Sequence, residues 1–292
     1  MAETPSVSES KFRPAREEAR DAVRTVPSPQ TQSISYKLAF QDNDFLLRPD
    51  LRPVRFQLEL LKPELLLDEA RISSTFVFYG SARIPAPDAA QARIDAALTD
   101  HERLVATRLA EKAKYYDEAR KLARIAAAFP ENEEGCRNFV VCSGGGPSIM
   151  EAANRGAADV GAASIGLNIV LPHEQTPNSY VTPELSFQFH YFALRKMHFT
   201  LRARALAVFP GGFGTFDEFF ELLTLVQTGK MKPIPILLFG KDFWTRVVNF
   251  DALAEEGVIS PRDLELFKWV ETAEEAWAAV EHFYANSEAP GC

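Results

Sequence analysis

In the C-terminal half of the chain the residues run Pro210-Gly211-Gly212-Phe213-Gly214-Thr215-Phe216-Asp217-Glu218. Glycines at 211, 212 and 214 let several backbone N–H groups turn toward one anion, and the apolar stretch Phe216 to Thr228 reads as a helix whose N-terminus would stand behind that anion. Glu218 falls on the first turn of that helix, with Asp217 beside it and Glu221 one turn on. A carboxylate next to a bound 5′-phosphate is within reach of the attached ribose. There it can grip hydroxyls, orient a water or offset positive charge developing at the anomeric carbon. Plainer readings compete with this one. A glycine after a strand often serves only a turn that needs positive φ, and acids in a first turn often serve only the helix dipole, Asp217 above all.

Two more turns belong to the same class. Gly80-Ser81-Ala82-Arg83 follows one apolar strand, and Ser143-Gly144-Gly145-Gly146-Pro147-Ser148 follows another and opens a helix containing Met150. Upstream of the first loop, Arg195-Lys196 sit on a helix among Phe192, Leu194, Met197 and Phe199. They are either snorkelling surface cations or a planar fork delivered to the same pocket. No G-x-x-x-x-G-K-[ST] is present, which disfavours a P-loop triphosphatase. Neither glycine loop has the G-x-G-x-x-G spacing followed by an acidic ribose ligand, so a mononucleotide fits better than a redox dinucleotide. His101, His173, His190, His198 and His282 show no ligand spacing, and we expect no metal and no cofactor. Cys142 reads as strand packing, and nothing around Lys196 or Lys230 supports a Schiff base.

The elements that must position these residues alternate. Strands are expected at Ser74–Tyr79, Asn138–Cys142, Ser164–Ile169, Leu185–Phe189, Ala205–Phe209 and Ile234–Phe239, with a short apolar stretch at Phe267–Val270. Helices are expected at 101–128 as one long element with Leu104, Leu109, Ala113, Tyr116, Ala119 and Leu122 inward, and at 149–160, 192–204, 216–228, 242–255 and 273–285. A Pro-rich loop occupies 171–183. This alternation implies an α/β fold, a doubly wound, Rossmann-like and mostly parallel sheet with helices on both faces. Ahead of it, residues 1–33 are too polar to offset their ordering entropy and read as a disordered tail. Residues 34–71 read as a helical arm, with Leu51, Val54, Leu58, Leu61 and Leu65 on one face and Pro63 as a kink or break, so the nucleotide-binding domain spans 72–292.

A formal charge of −8 over 292 residues argues against a nonspecific hold on nucleic acid but leaves room for a local cationic pocket. Three cysteines at wide spacing suggest no cross-link and a reducing, cytoplasmic setting, and no run suggests a signal peptide or a membrane span.

The run 210–218 matches the pattern PGGxGTxxE and resembles the LOG family, the cytokinin riboside 5′-monophosphate phosphoribohydrolases often mislabelled as lysine decarboxylases. Arg195-Lys196 resembles that family's upstream pair, Ser143 to Gly146 with Met150 its second glycine loop, and Gly80-Ser81 its first turn, so that the resemblance covers roughly 72–285. It implies hydrolysis of the N-glycosidic bond of AMP or a cytokinin riboside 5′-monophosphate to free base and ribose 5-phosphate, without a cofactor, by a homodimer or larger assembly. By position it makes Arg195 and Glu218 the catalytic pair. Gly211, Gly212, Gly214 and Thr215 would hold the phosphate, with Gly80, Ser81, Gly144, Gly145, Gly146, Met150, Lys196, Asp217 and Glu221 as further substrate contacts. Phe192-Ala193-Leu194 depart from the Met and acidic residue that short members place before the Arg-Lys pair, which bears on the choice of base. The competing expectation is a nucleotide-binding sensor or carrier without turnover.

Overall fold

The computed structural model describes residues 13–23, 26–172 and 176–285; the expected tail at 1–12 and 24–25, part of the 171–183 loop and residues 286–292 lie outside them. The chain divides into two compact units, Met1–Leu58 and Glu59–Cys292. The first contains α1 (Ala15–Ala22), which falls within the segment expected as a tail and buries only Ala19, and the short α2 (Asn43–Leu46). Then comes α3 (Arg52–Glu69), which runs through Pro63 rather than breaking there. Its buried residues are Pro63 and Leu67, while Leu58, Leu61 and Leu65 of the expected face are exposed. Polar anchoring decides the facing. Arg202 Nη2 donates to Glu64 Oε2 at 3.0 Å and to Asp68 Oδ1 at 2.6 Å, turning that side inward, and a hydrophobic period does not register such contacts.

The strands are β1 (Thr75–Tyr79), β2 (Val140–Ser143), β3 (Ser164–Ile169), β4 (Ser186–Phe189), β5 (Ala203–Val208), β6 (Ile236–Phe239) and β7 (Lys268–Val270). They form one sheet in the order β4-β3-β2-β1-β5-β6-β7, every pairing parallel. Parallel strands covered on both faces need apolar residues at every position, and all of Thr75–Tyr79 is buried. Side chains alternate between two cores. Phe76 and Phe78 enter one with Tyr116, Leu122 and Ile149; Val77 and Tyr79 enter the other with Phe199, Phe219 and Trp244. The doubly wound expectation holds.

Around the sheet lie α4 (Pro87–Asp95), α5 (Asp100–Ala110), α6 (Lys114–Ala127), α7 (Ile149–Asp159), α8 (Phe192–Leu201), α9 (Phe213–Gln227), α10 (Lys241–Val247), α11 (Phe250–Glu255) and α12 (Ala273–Tyr284). The single helix expected at 101–128 is two. Lys112 N reaches Leu109 O, and Tyr115 N reaches Lys112 O, so a tight turn divides α5 from α6 and leaves Leu104 exposed. No Gly or Pro marks the break. Packing accounts for it: α6 lies so close to α7 that a Cβ on Gly156 would strike the Arg120 carbonyl, which ties the direction of α6 to α7. The helix expected at 242–255 also divides, where the Asn249 side chain accepts from Ala252 N and starts α11. Helix α4 was not anticipated.

Cys142 is free and buried, in keeping with its reading as strand packing. Among the described residues, no helix is long and apolar enough to cross a membrane.

Candidate functional site

Chain order reverses between β1 and β5, which are neighbours whose following connections leave in opposite directions. Ligand crevices form at such a switch point, beyond the carboxyl ends of the strands. Here Phe209 N donates to Tyr79 O at 2.8 Å and Ser81 N to Pro210 O at 3.1 Å, stitching the turn after β1 to the loop after β5. A cavity of about 750 Å³ opens at that seam, lined by Gly80, Ser81 and Met150 on one side and by Gly212, Gly214 and Thr215 on the other. Arg195 and Glu218 close its floor. The volume suits a whole small ligand.

Helix α9 begins at Phe213 rather than Phe216, with Gly212 as its cap residue and no side-chain cap. Phe216 N donates to Gly212 O at 3.0 Å, so the N–H groups of Phe213, Gly214 and Thr215 precede the first intrahelical bond. Gly211 has no room for a Cβ, which would collide with Thr215 Oγ1, while Gly212 and Gly214 face open space. The loop thus packs tightly at its first glycine and is open at the next two.

Arg195 enters from α8 and is held at several points. Its Nε donates to Leu167 O at 2.7 Å, its Nη1 to Glu218 Oε1 at 3.3 Å, and its guanidinium lies 5.1 Å from the Phe199 ring centre. A Cβ on Gly144 would lie 2.6 Å from Arg195 Nη2 and 2.8 Å from Met150 Sδ, so that glycine makes room for the arginine. Both partners of the pair are largely covered, with side chains 12% and 14% exposed. Burial pushes the Glu218 carboxyl up to about 7; Arg195 opposes this, Asp217 adds to it, Lys196 opposes and Glu221 adds. Burial dominates because one guanidinium does not replace the hydration of a carboxylate.

Several expected contacts are not brought to the cavity wall. Gly145 and Gly146 are buried, and their carbonyls accept from Asn178 Nδ2 at 3.1 and 3.0 Å. Gly145 N donates to Ser143 Oγ, and Ser143 Oγ donates to Asn154 Oδ1, so these groups are satisfied within the loop and its neighbours. Lys196 Nζ lies 3.0 Å from Asp217 Oδ1 and 2.7 Å from Glu221 Oε2, a group of charges outside the cavity lining.

Five lining residues were not among the expected contacts: Ala82, Arg83, Phe213, Phe216 and Val247. Arg83 follows the first turn directly and could have been found there, whereas nothing in its own sequence context points to Val247. Tyr79, at the end of β1, is buried with its ring edge against Phe199, and its phenol is pushed well above the usual range by burial and then by the nearby Glu218.

A family model described as "Possible lysine decarboxylase" matches residues 150–280, the part that carries Arg195, the loop and Glu218. The chain is 29% identical over 157 residues to the cytokinin riboside 5′-monophosphate phosphoribohydrolase LOG3 of Arabidopsis thaliana, covering 52% of this chain and 71% of that one. To LOG4 of the same organism it is 27% identical over 157 residues, again covering 52% and 71%. Among solved structures, the molybdenum cofactor carrier protein of Chlamydomonas reinhardtii aligns over 73% of this chain and 99% of its own at 17% identity and a TM-score of 0.40, a likeness too slight to carry an argument about function.

Proposed function

We propose that this chain, which belongs to the LOG family, hydrolyses the N-glycosidic bond of a nucleoside 5′-monophosphate, AMP or a cytokinin riboside 5′-monophosphate, to free base and ribose 5-phosphate. The observation that carries the reading is the buried Arg195–Glu218 pair, which shares one cavity with the open N-terminus of α9. A phosphate at the N–H groups of Phe213, Gly214 and Thr215 gains from the helix dipole. The attached ribose then extends toward Glu218, one turn further along the same helix. Breaking a ribosyl C–N bond passes through an oxocarbenium-like state, and an ionised carboxylate fixed in a covered site stabilises positive charge that the bound substrate lacks. Arg195, already oriented by Leu167 O and Phe199, holds that carboxylate in place and offers its fork to the substrate. Lys196, the lysine nearest a Schiff-base role, is committed to Asp217 and Glu221, which supports hydrolysis over the decarboxylation in the family model's description. On this reading the protein works as an assembly of two or more copies, which light scattering would measure.

The test is incubation with a panel of nucleoside monophosphates and with adenosine, reading released base by chromatography. AMP or an N6-modified relative should yield base and ribose 5-phosphate in equal amounts, and adenosine should be a very poor substrate, because the phosphate supplies binding energy remote from the bond that breaks. Equal turnover of AMP and adenosine would remove the phosphate role from 210–215. Tight AMP binding with no base released would favour a sensor or carrier.

A further inference from the structure

A second cavity, of about 260 Å³, adjoins the first on the side of α5. Ser81 and Gly212 line both, so the two spaces meet at Gly212, directly before the Phe213, Gly214 and Thr215 N–H groups assigned above to the substrate phosphate. Its lining includes Gly211 and Phe243, Arg108 near the end of α5, and Lys112 in the turn that follows α5. Lys112 is half-buried, and its ammonium donates to Arg108 O at 2.7 Å. Burial pulls its pKa below that of an ordinary lysine; Glu111 opposes this, and Arg108 and Arg246 add to it. Among the described residues, Arg108, Lys112 and Arg246 have no ion-pair partner, although the chain as a whole carries a charge of −8.

Three like charges with only Glu111 to offset them repel one another, and an anion in their midst relieves that cost. The volume bounds the size of that anion. A space of 260 Å³ falls short of the ~300 to 1,000 Å³ typical of a whole small-molecule ligand but accommodates one appended group. We infer that the cavity is a subsite for a second phosphoryl group, filled by the β-phosphate of a nucleoside 5′-diphosphate whose α-phosphate occupies the N-terminus of α9. The inference rests on the proposed phosphate position. Arg108 and Lys112 both lie outside the matched family segment 150–280, on α5 and in the turn after it, while Arg246 lies inside it.

The test is calorimetric titration with AMP and with ADP, in a Glu218→Gln background so that nucleotide is not consumed. ADP should bind about ten- to a hundredfold more tightly than AMP, the gain from one or two added charge-assisted hydrogen bonds. In an Arg108→Gln/Lys112→Gln variant that gain should vanish while AMP affinity stays within about twofold, since the α-phosphate relies on backbone donors. Inorganic phosphate titrated onto the AMP complex separates the sources. Binding that depends on Arg108 and Lys112 supports the same subsite with a free anion as its occupant. ADP binding no tighter than AMP, with no such phosphate binding, overturns the subsite, as does an ADP advantage that survives the double variant. A fall in AMP affinity equal to that of ADP also overturns it, because the cations would then serve the first phosphate. Absence of AMP cleavage by the wild-type protein is a different outcome: it removes the proposed hydrolysis and leaves this comparison of affinities intact.

Discussion

The two glycine loops look alike in sequence and differ in use. In the loop after β2, Gly145 and Gly146 spend their carbonyls on Asn178, and Gly145 spends its N–H on Ser143, so these groups are closed to a ligand. In the loop after β5, Gly211 packs against Thr215 while Gly212 and Gly214 face open space at the start of α9. The difference lies in what surrounds the glycines rather than in their number. Neither helix that follows has a side-chain cap, but Asn154 and Asn178 supply the first loop with internal partners that the second lacks at Gly212 and Gly214. The first loop still serves the site indirectly, because a side chain at Gly144 would displace Arg195.

The largest expected effect of breaking this contrast is at Glu218, the carboxylate that the open loop puts beside the sugar. Glu218→Gln keeps size and hydrogen bonding but removes charge, and should lower kcat for AMP by about two to three orders of magnitude while AMP binding measured by calorimetry persists. It should also change stability in a pH-dependent way. A carboxyl raised to about 7 by burial holds a proton in the folded state that the unfolded chain releases, so wild-type stability falls as pH rises from the unfolded value toward 7. Melting curves should show the Gln variant gaining on wild type between pH 5 and pH 8. A constant difference would mean that Glu218 titrates normally.

A smaller effect is expected at the closed loop. Asn178→Ala removes the donor to Gly145 O, Gly146 O and Asn154 Oδ1 and should destabilise the fold by about 1 to 3 kcal/mol, read by urea denaturation. AMP affinity should change by less than about threefold, well under 1 kcal/mol. A loss of affinity with unchanged stability would mean that the closed loop binds ligand directly.

The smallest effect should come from Gly214→Ala. A Cβ there meets nothing within 4 Å, and the position is helical with ordinary φ, so the melting temperature should hold or rise slightly. AMP affinity should weaken, since the added methyl occupies space the phosphate needs. Unchanged affinity would place the phosphate elsewhere along the loop.

Much of this arrangement was legible in the sequence. The strand-to-helix alternation announces the parallel sheet, and Pro210 to Glu218 announces the cavity wall, because both signals are local. The division of 101–128 into two helices was hidden, since it follows from the close approach of α6 and α7 at Gly156 and no residue at the break is a helix breaker. The buried side of α3 was misread because Glu64 and Asp68, polar residues, are what hold it to Arg202. The two glycine loops could not be told apart, as Asn178 lies more than thirty residues beyond the loop it closes. Arg108 and Lys112 belong to no motif, and only the tertiary fold brings them to Gly211.

The claim that Glu218 performs chemistry in the cavity of the open loop is tested most directly by the pH dependence of kcat/KM for AMP, measured on the wild type and on Glu218→Gln. The ionised carboxylate is the working form, so wild-type activity should climb with pH up to about 7, where Glu218 loses its proton, and level off above it. Titration of the substrate phosphate, with its second pKa near ~6, contributes equally to both proteins. The limb near 7 should therefore be missing from the variant's residual activity. The same limb in both proteins, with kcat within a few-fold, would contradict the account and leave Glu218 as a helix-dipole residue.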